Sequence, residues 1–297
     1  MNLLHKVEEA MMQYGGSSRR SIGDFILKEK NDLHKYSLQE IADQTYTSKA
    51  AVVRFAQALG FSGWKEFVKA FTEEQSYQAQ HYSNIDANFP FTKDSRRKDI
   101  INQLCSLQVE SLLDTADLLN EAPLDECAAL LLGSRRVAMF GLNPNFALAE
   151  LFKRKMLSIG RQVELPSQGD VGLLAHSLDK YDCAVIISYS GNSPTTGALS
   201  VLPTLKQRNV PIIGITSVGD NLLRQKADYT LSISSYERLY SKISTFGTEN
   251  SILFILNVLF SICFAADYDA NLERKIGTAR EPESTRRVTN EQALKET

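Results

Sequence analysis

Reactive side chains concentrate in one short block of this sequence. The apolar run Ala184-Val185-Ile186-Ile187 is followed by Ser188-Tyr189-Ser190-Gly191-Asn192-Ser193-Pro194. Pro194 fits the first turn of a helix, which makes Ser193 its N-cap. The block then offers the hydroxyls of Ser188, Ser190 and Ser193 together with backbone amides at a helix start. Such a nest holds a dianionic phosphate without a lysine. If the apolar run is a central strand, the block lies at its carboxyl end, where open α/β sheets bind ligands. An ordinary serine-rich turn has the same residues, so the block alone does not decide.

A second block has the spacing of a nucleic-acid reader. Ser37-Leu38-Gln39-Glu40-Ile41-Ala42 is followed, after a short turn, by Ser48-Lys49-Ala50-Ala51-Val52-Val53-Arg54-Phe55. Ser37 and Glu40 make a capping box, and Ser48 can cap a second helix. Small Ala42 suits a close helix crossing, so the layout is that of a helix-turn-helix. Placing Val52, Phe55 and Leu59 on the core leaves Lys49, Val53 and Gln57 on one outward stripe with Arg54 beside it. Thr47, Ser48 and the helix N-terminus then face phosphates. Lys49, Arg54 and Gln57 reach base edges or backbone, and Val53 meets a thymine methyl. Thr47 to Gly63 carries two cations and no acids, although residues 1–75 balance 10 basic against 10 acidic side chains. A helical hairpin with a merely solvated outer face fits the same pattern.

The remaining candidates are scattered. Cys105, Cys127, Cys183 and Cys263 form no CxxC pair and have no histidine at metal-ligand spacing. They read as small buried hydrophobes, and neither a metal nor a cofactor is expected. His176 and Glu249 are the candidates for proton transfer. His176 is otherwise a plain helix residue, and Glu249 otherwise favours the N-terminus of the apolar helix it opens. They form no convincing acid–base pair.

These groups need elements to position them. A chain of 297 residues, 43% hydrophobic and 23% charged, suits two ordinary globular domains. Residues 1–75 show helical spacing and no credible strand. Residues 76–98 read as a polar linker. Residues 99–270 open with one long helix over Asp99–Asn120. Runs at Arg136–Phe140, Gln162–Leu165, Ala184–Ile187, Pro211–Ile215 and Tyr229–Ile233 then alternate with helices. That alternation predicts an α/β domain with a five-stranded parallel sheet in flavodoxin-like order. Residues 271–297 read as an aperiodic polar tail.

The net charge of −2 excludes a polycation and confines any DNA binding to a local surface. The first residues lack the apolar core of a signal peptide. Ser251–Ala266 falls short of the roughly 20 apolar residues that a membrane span needs. A cytoplasmic protein with no membrane partner is expected.

Two runs carry family resemblances. Leu38-Gln39-Glu40-Ile41-Ala42, Ser48, Val52, Arg54-Phe55 and then Leu59-Gly60-Phe61-Ser62-Gly63-Trp64-Lys65-Glu66-Phe67 resemble the N-terminal domain of RpiR-family regulators, over about residues 17–72. Tyr46 stands where that family's turn usually has glycine, and Ala51 and Val53 replace common hydroxyl residues. Val137-Ala138-Met139-Phe140-Gly141, Phe152–Gly160, Ile187–Ser193 and Ile213–Ser217 together resemble a sugar isomerase (SIS) domain, over about residues 105–268. The resemblance implies that Ser188, Ser190, Asn192 and Ser193 grip the phosphate of a phosphosugar. Where the family commonly shows Gly-x-Gly-x-Ser after the first strand, this chain has Gly141-Leu142-Asn143-Pro144-Asn145. Asn143 and Asn145 remain candidate contacts through their amides, while Pro144 removes one donor and stiffens the loop.

Together the two blocks imply a transcription regulator of carbohydrate metabolism, with a double-stranded operator and a phosphosugar effector as partners. A homodimer or higher homo-oligomer is expected, because helix-turn-helix proteins usually read paired half-sites. Ile252, Leu253, Leu256, Leu259 and Phe260 offer one face for it, unless that helix simply covers the sheet. The alternative is a phosphosugar isomerase, with Glu249 facing the sugar of a neighbouring subunit.

Overall fold

The computed structural model describes residues 3, 7, 10, 11, 17–30, 32–81, 85–167, 169–192 and 197–283, the side chains of 17, 74–81 and 279–283 excepted. The chain divides into two compact units, Met1–Asp86 and Ala87–Thr297.

The first unit is helical among its described residues: α1 (Ser17–Lys28), α2 (Leu38–Gln44), α3 (Lys49–Ala58) and α4 (Trp64–His81), with a 3₁₀ turn at Leu33–Lys35. The capping box at α2 is formed: Glu40 N donates to Ser37 Oγ at 3.2 Å, and Ser37 N to Glu40 Oε2 at 2.7 Å. Ser48 caps α3 by accepting from Ala51 N at 3.2 Å. These bonds satisfy amides that a helix start otherwise leaves unpaired. The apolar faces meet in one core of Ile22, Phe25, Ile26, Ile41, Ala42, Val52, Phe55, Ala56, Phe67 and Phe71. Ala42 is buried where α2 meets α3, and the turn between them passes through Tyr46 at φ 52. A tyrosine thus takes the left-handed conformation that glycine adopts without strain.

The second unit is built on five parallel strands, β1 (Val137–Gly141), β2 (Val163–Glu164), β3 (Cys183–Ile187), β4 (Ile212–Ser217) and β5 (Tyr229–Ile233), in the order β2-β1-β3-β4-β5. Each strand lies within two residues of its predicted run. Side chains alternate between two cores, as a strand's two-residue period requires. Val137, Met139, Val185, Ile187, Ile213 and Leu231 face α5 (Arg97–Leu118), α6 (Glu121–Gly133), α7 (Asn145–Ser158) and α11 (Phe246–Ala265). Ala138, Phe140, Ala184, Ile186 and Ile212 face α8 (Val171–Ser177), a 3₁₀ turn at Gly197–Val201, α9 (Leu202–Gln207) and α10 (Leu222–Lys226). Being covered on both faces explains the near-continuous apolar strands.

Five readings need correction. Cys105, read as a buried hydrophobe, is exposed, while Cys127, Cys183 and Cys263 are buried. Residues 76–81 continue α4 instead of starting a linker. Residues 87–91 belong to the second unit: Asn88 is buried and its Oδ1 accepts from Arg238 N at 2.7 Å. The polar stretch after Asn271 is helical to Glu283 in α12 (Tyr268–Glu283), where Tyr268, Leu272 and Ile276 recur every four residues within a polar composition. Finally, α11 is long and apolar enough by composition to cross a membrane. Its Ile252, Ile255, Leu256 and Leu259 are instead spent covering the sheet. Three of the five residues offered for self-association, Ile252, Leu256 and Leu259, are therefore core residues of the chain itself.

The contact between α5 and the end of β5 contains one titratable group out of its usual range. Burial raises the Asp114 carboxyl to about 6, against the donated hydroxyl of Ser234 at 3.1 Å. The folded protein keeps a proton there that the unfolded chain releases near 4, so this group's contribution to stability is lost as pH rises through about 6. Thermal unfolding of Asp114→Asn should therefore show a Tm advantage over the wild type that grows from about pH 4 to about pH 6.5 and is level above it.

Candidate anion-binding and DNA-reading sites

Both loops that carry candidate ligand contacts leave the carboxyl ends of adjacent strands. After β3, Ser188 N donates to Ile215 O at 3.0 Å, extending the ladder one residue past the strand. The chain then turns back sharply. Gly191 has φ 62, and its N donates to Ser188 Oγ at 3.3 Å. A Cβ on Gly191 would stand 2.2 Å from Asn221 Oδ1 and 2.7 Å from Thr216 Oγ1. Only glycine fits this turn, on both conformation and space. The amino end of α10 holds the loop from outside: Leu223 N donates to Gly191 O at 3.0 Å and Leu222 N to Asn192 Oδ1 at 3.0 Å.

Ser188 and Ser190 are half-buried and Asn192 is exposed. Neither serine is sealed beneath other side chains, and both lie just beyond the carboxyl end of the central strand. Asn192 uses its carbonyl to cap α10, leaving its NH2 as the group able to donate elsewhere. Ser193, with its predicted capping role, lies outside the described residues. From β1, Asn145 Nδ2 reaches Ile187 O at 3.4 Å, which brings the first loop against the base of the serine loop. Asn143 is exposed and precedes Pro144 through a cis peptide bond.

The segment after β5 supplies residues that the sequence reading missed. Glu237 is 3% exposed, and its carboxylate accepts from Gly247 N at 2.6 Å, Thr248 N at 3.2 Å and Thr248 Oγ1 at 2.7 Å, at the amino end of α11. Its charge is met by Lys242 Nζ at 3.5 Å. Tyr189 Oη donates to Glu237 O at 2.6 Å, and Lys242 Nζ lies 5.7 Å from the Tyr189 ring centroid. A buried carboxylate with three donors and a cation thus anchors the serine loop through its tyrosine. The only signal in the sequence was an isolated Glu237 with Lys242 five residues on, in a Ser/Tyr-rich stretch.

The two proton-transfer candidates are far from each other's chemistry. Glu249 is half-buried and accepts the Thr245 hydroxyl, an interaction within the first turn of α11. His176 is exposed near the end of α8, beside Gln207, Arg208 and Asn209. It therefore sits at the amino ends of the strands, about 16 Å, one strand length, from the serine loop.

In the first unit, Ser48, Lys49, Arg54 and Gln57 are exposed on α3, opposite buried Val52, Phe55 and Ala56. Val53 is half-buried at the margin of the core. Thr47 is half-buried, with its hydroxyl 2.8 Å from that of Thr45. Gln57 Nε2 makes a long bond to Ser62 O at 3.4 Å. The outward face of α3 thus carries two cations and an amide, with nothing acidic between Thr47 and Gly63.

Residues 1–78 match the model of the helix-turn-helix domain, rpiR family, and residues 130–255 match the SIS domain. The chain thus carries a helix-turn-helix domain of the rpiR family followed by a SIS domain. A relative from Haemophilus influenzae, named an uncharacterized HTH-type transcriptional regulator, is 26% identical over 276 residues, covering 92% of this chain and 94% of that protein. Among solved structures, Vibrio vulnificus NanR complexed with ManNAc-6P aligns with a TM-score of 0.58 at 19% identity, over 95% of this chain and 99% of that one. The sugar isomerase domain of an RpiR transcription factor from Sphaerobacter thermophilus aligns with a TM-score of 0.53 at 16% identity, over 61% and 98%. These likenesses show a shared fold.

The turn at Gly191 gives the sharpest test of the loop. Gly191→Ala should destabilise the protein by about 1–3 kcal/mol in denaturant unfolding, through strained φ and the clash with Asn221.

Proposed function

We propose that this protein is an rpiR-family transcription regulator of carbohydrate metabolism whose operator affinity is set by a phosphorylated sugar held at the Ser188–Asn192 loop. The observation that carries the reading is the half-buried pair of hydroxyls, Ser188 and Ser190, on the same chain as an exposed cationic reading helix. Neutral donors at the carboxyl end of a central strand suit a phosphate group. NanR, which shares the fold along nearly the whole chain, was solved with a sugar phosphate, and this supports the same ligand class here.

Ser188, Ser190 and the NH2 of Asn192 grip the phosphate, with Ser193 following them in the chain. Asn145, which bridges to Ile187, and Asn143 on the neighbouring loop supply amides toward the sugar. Thr47, Ser48, Lys49, Val53, Arg54 and Gln57 form the DNA-facing surface of α3, with Thr47 and Ser48 toward phosphates. Two copies acting together read paired half-sites in the cytoplasm.

The regulator works by binding without turnover. An isomerase needs a base beside the sugar; His176 lies at the far end of the sheet and Glu249 is engaged by Thr245. Binding alone is enough to move an equilibrium between two geometries, provided the effector prefers one of them.

Gel-shift titration of operator DNA with a panel of phosphosugars should reveal at least one that changes the apparent Kd. Ser190→Ala should lose that response while retaining DNA binding. Arg54→Ala should weaken operator binding by about 1–3 kcal/mol. A panel with no active member contradicts the effector reading, and interconversion of an aldose and a ketose phosphate by the purified protein would establish the isomerase instead.

A further inference from the structure

One peptide group in the loop after β5 is gripped from both sides. The carbonyl of Glu237 accepts from Tyr189 Oη at 2.6 Å, and the N–H of Arg238, in the same peptide unit, donates to Asn88 Oδ1 at 2.7 Å. A trans peptide points these two groups in opposite directions. Tyr189 and Asn88 therefore lie on opposite sides of the chain at 237–238. Hydrogen bonds at the two ends of one amide polarise it in the same sense, so each strengthens the other.

Asn88 holds the loop at two further points. Its Nδ2 donates to Tyr236 O at 3.4 Å, and its backbone O accepts from Ile243 N at 2.9 Å. Between these points Leu239 is 65% and Tyr240 92% exposed. An excursion with so little packing of its own depends for its order on the bonds at its two ends. On the other side, Tyr189 stands between Ser188 and Ser190, and its backbone O accepts from Ser217 N at 3.1 Å. The serine loop is thus two hydrogen bonds and one peptide unit away from Asn88.

The position of Asn88 in the chain gives this link a second end. Asn88 is the second residue of the second unit, which begins at Ala87. Ala87 and Asn88 are both buried, and Ala87 lines a small cavity with Leu107, Ser111, Ser235 and Gly247. The Phe91 ring lies 6.5 Å from that of Phe246, the first residue of α11. The segment through which the chain enters the second unit is seated there, and Asn88 ties it to the loop after β5.

We propose that Asn88 is a positioning residue for the serine loop, and that the order of this loop and of the entry segment rise and fall together through the 237–238 peptide. An effector that orders Ser188–Asn192 then also tightens the segment that leads back to the reading helices, and the coupling is reciprocal. That consequence rests on the phosphosugar reading. The coupling itself is a property of the unliganded chain.

Hydrogen exchange of the full chain, read by mass spectrometry without any ligand, tests it. Asn88→Ala should speed exchange in peptides that contain Gly191 and Ser217 by about fivefold, the worth of one hydrogen bond. Tyr189→Phe should do the same for peptides spanning 237–244. In the Tyr189→Phe background, Asn88→Ala should add less than about twofold at the serine loop, because the two changes break one connection. Unchanged exchange at Gly191 and Ser217 in a folded Asn88→Ala overturns the proposal, and so does an effect that persists undiminished in the double variant. If Asn88→Ala does not fold, Tyr189→Phe decides, and unchanged exchange over 237–244 counts against the link. In gel shifts with the phosphosugar panel, Asn88→Ala should bind operator yet lose most of the wild type's response. A full response contradicts the coupling, whereas a panel inactive on the wild type contradicts the effector reading and leaves the exchange result standing.

Discussion

The serine loop of the second unit rests on a single point of contact, where Gly191 turns against Asn221 and Thr216. The backbone there is left-handed and has no room for a side chain, so the path of the serine loop is set by excluded volume as much as by hydrogen bonds. The same contact joins two structural duties. Asn221 caps α10, and α10 in turn donates two amides to Gly191 and Asn192. The loop is thus held between the end of its own strand and the start of a neighbouring helix. Such pinning orders hydroxyls before a ligand arrives, and preorganised donors do not have to be ordered at the moment of binding.

The parallel sheet assigns the rest by topology. Its carboxyl ends collect the loops after β1, β3 and β5, whereas its amino ends collect His176, Arg135, Arg136 and the carboxylates that pair with those arginines. The loop after β5 belongs to the first group through Glu237. Its carboxylate saturates the first amides of α11, so the positive end of that long helix is neutralised inside the chain.

Much of this was legible because local signals agreed with the tertiary outcome. The capping box at Ser37 and Glu40 and the cap at Ser48 are encoded within four residues, and all their bonds form. The five strands announced themselves as apolar or β-branched runs because both faces of the sheet are covered. The failures share one cause: periodicity weakens when a helix is largely exposed. In α12 the apolar residues are one in four within a charged stretch, so the helix read as a tail. In α11 the reverse holds, since a helix that is apolar on most sides does not say which side is free. The buried Glu237–Lys242 pair was invisible because its partners are brought together by the fold and not by spacing.

The sparse charge of α3 has a consequence for how the protein occupies DNA. Lys49 and Arg54 are the only cations between Thr47 and Gly63, so each reading helix displaces few of the counterions condensed on a duplex. Little of its affinity then comes from the ionic atmosphere, and complexes should tolerate rising salt better than those of a strongly basic reader. On the proposed pairing of two copies, what one helix lacks is recovered through avidity, with the second site reached at a high effective concentration once the first is bound.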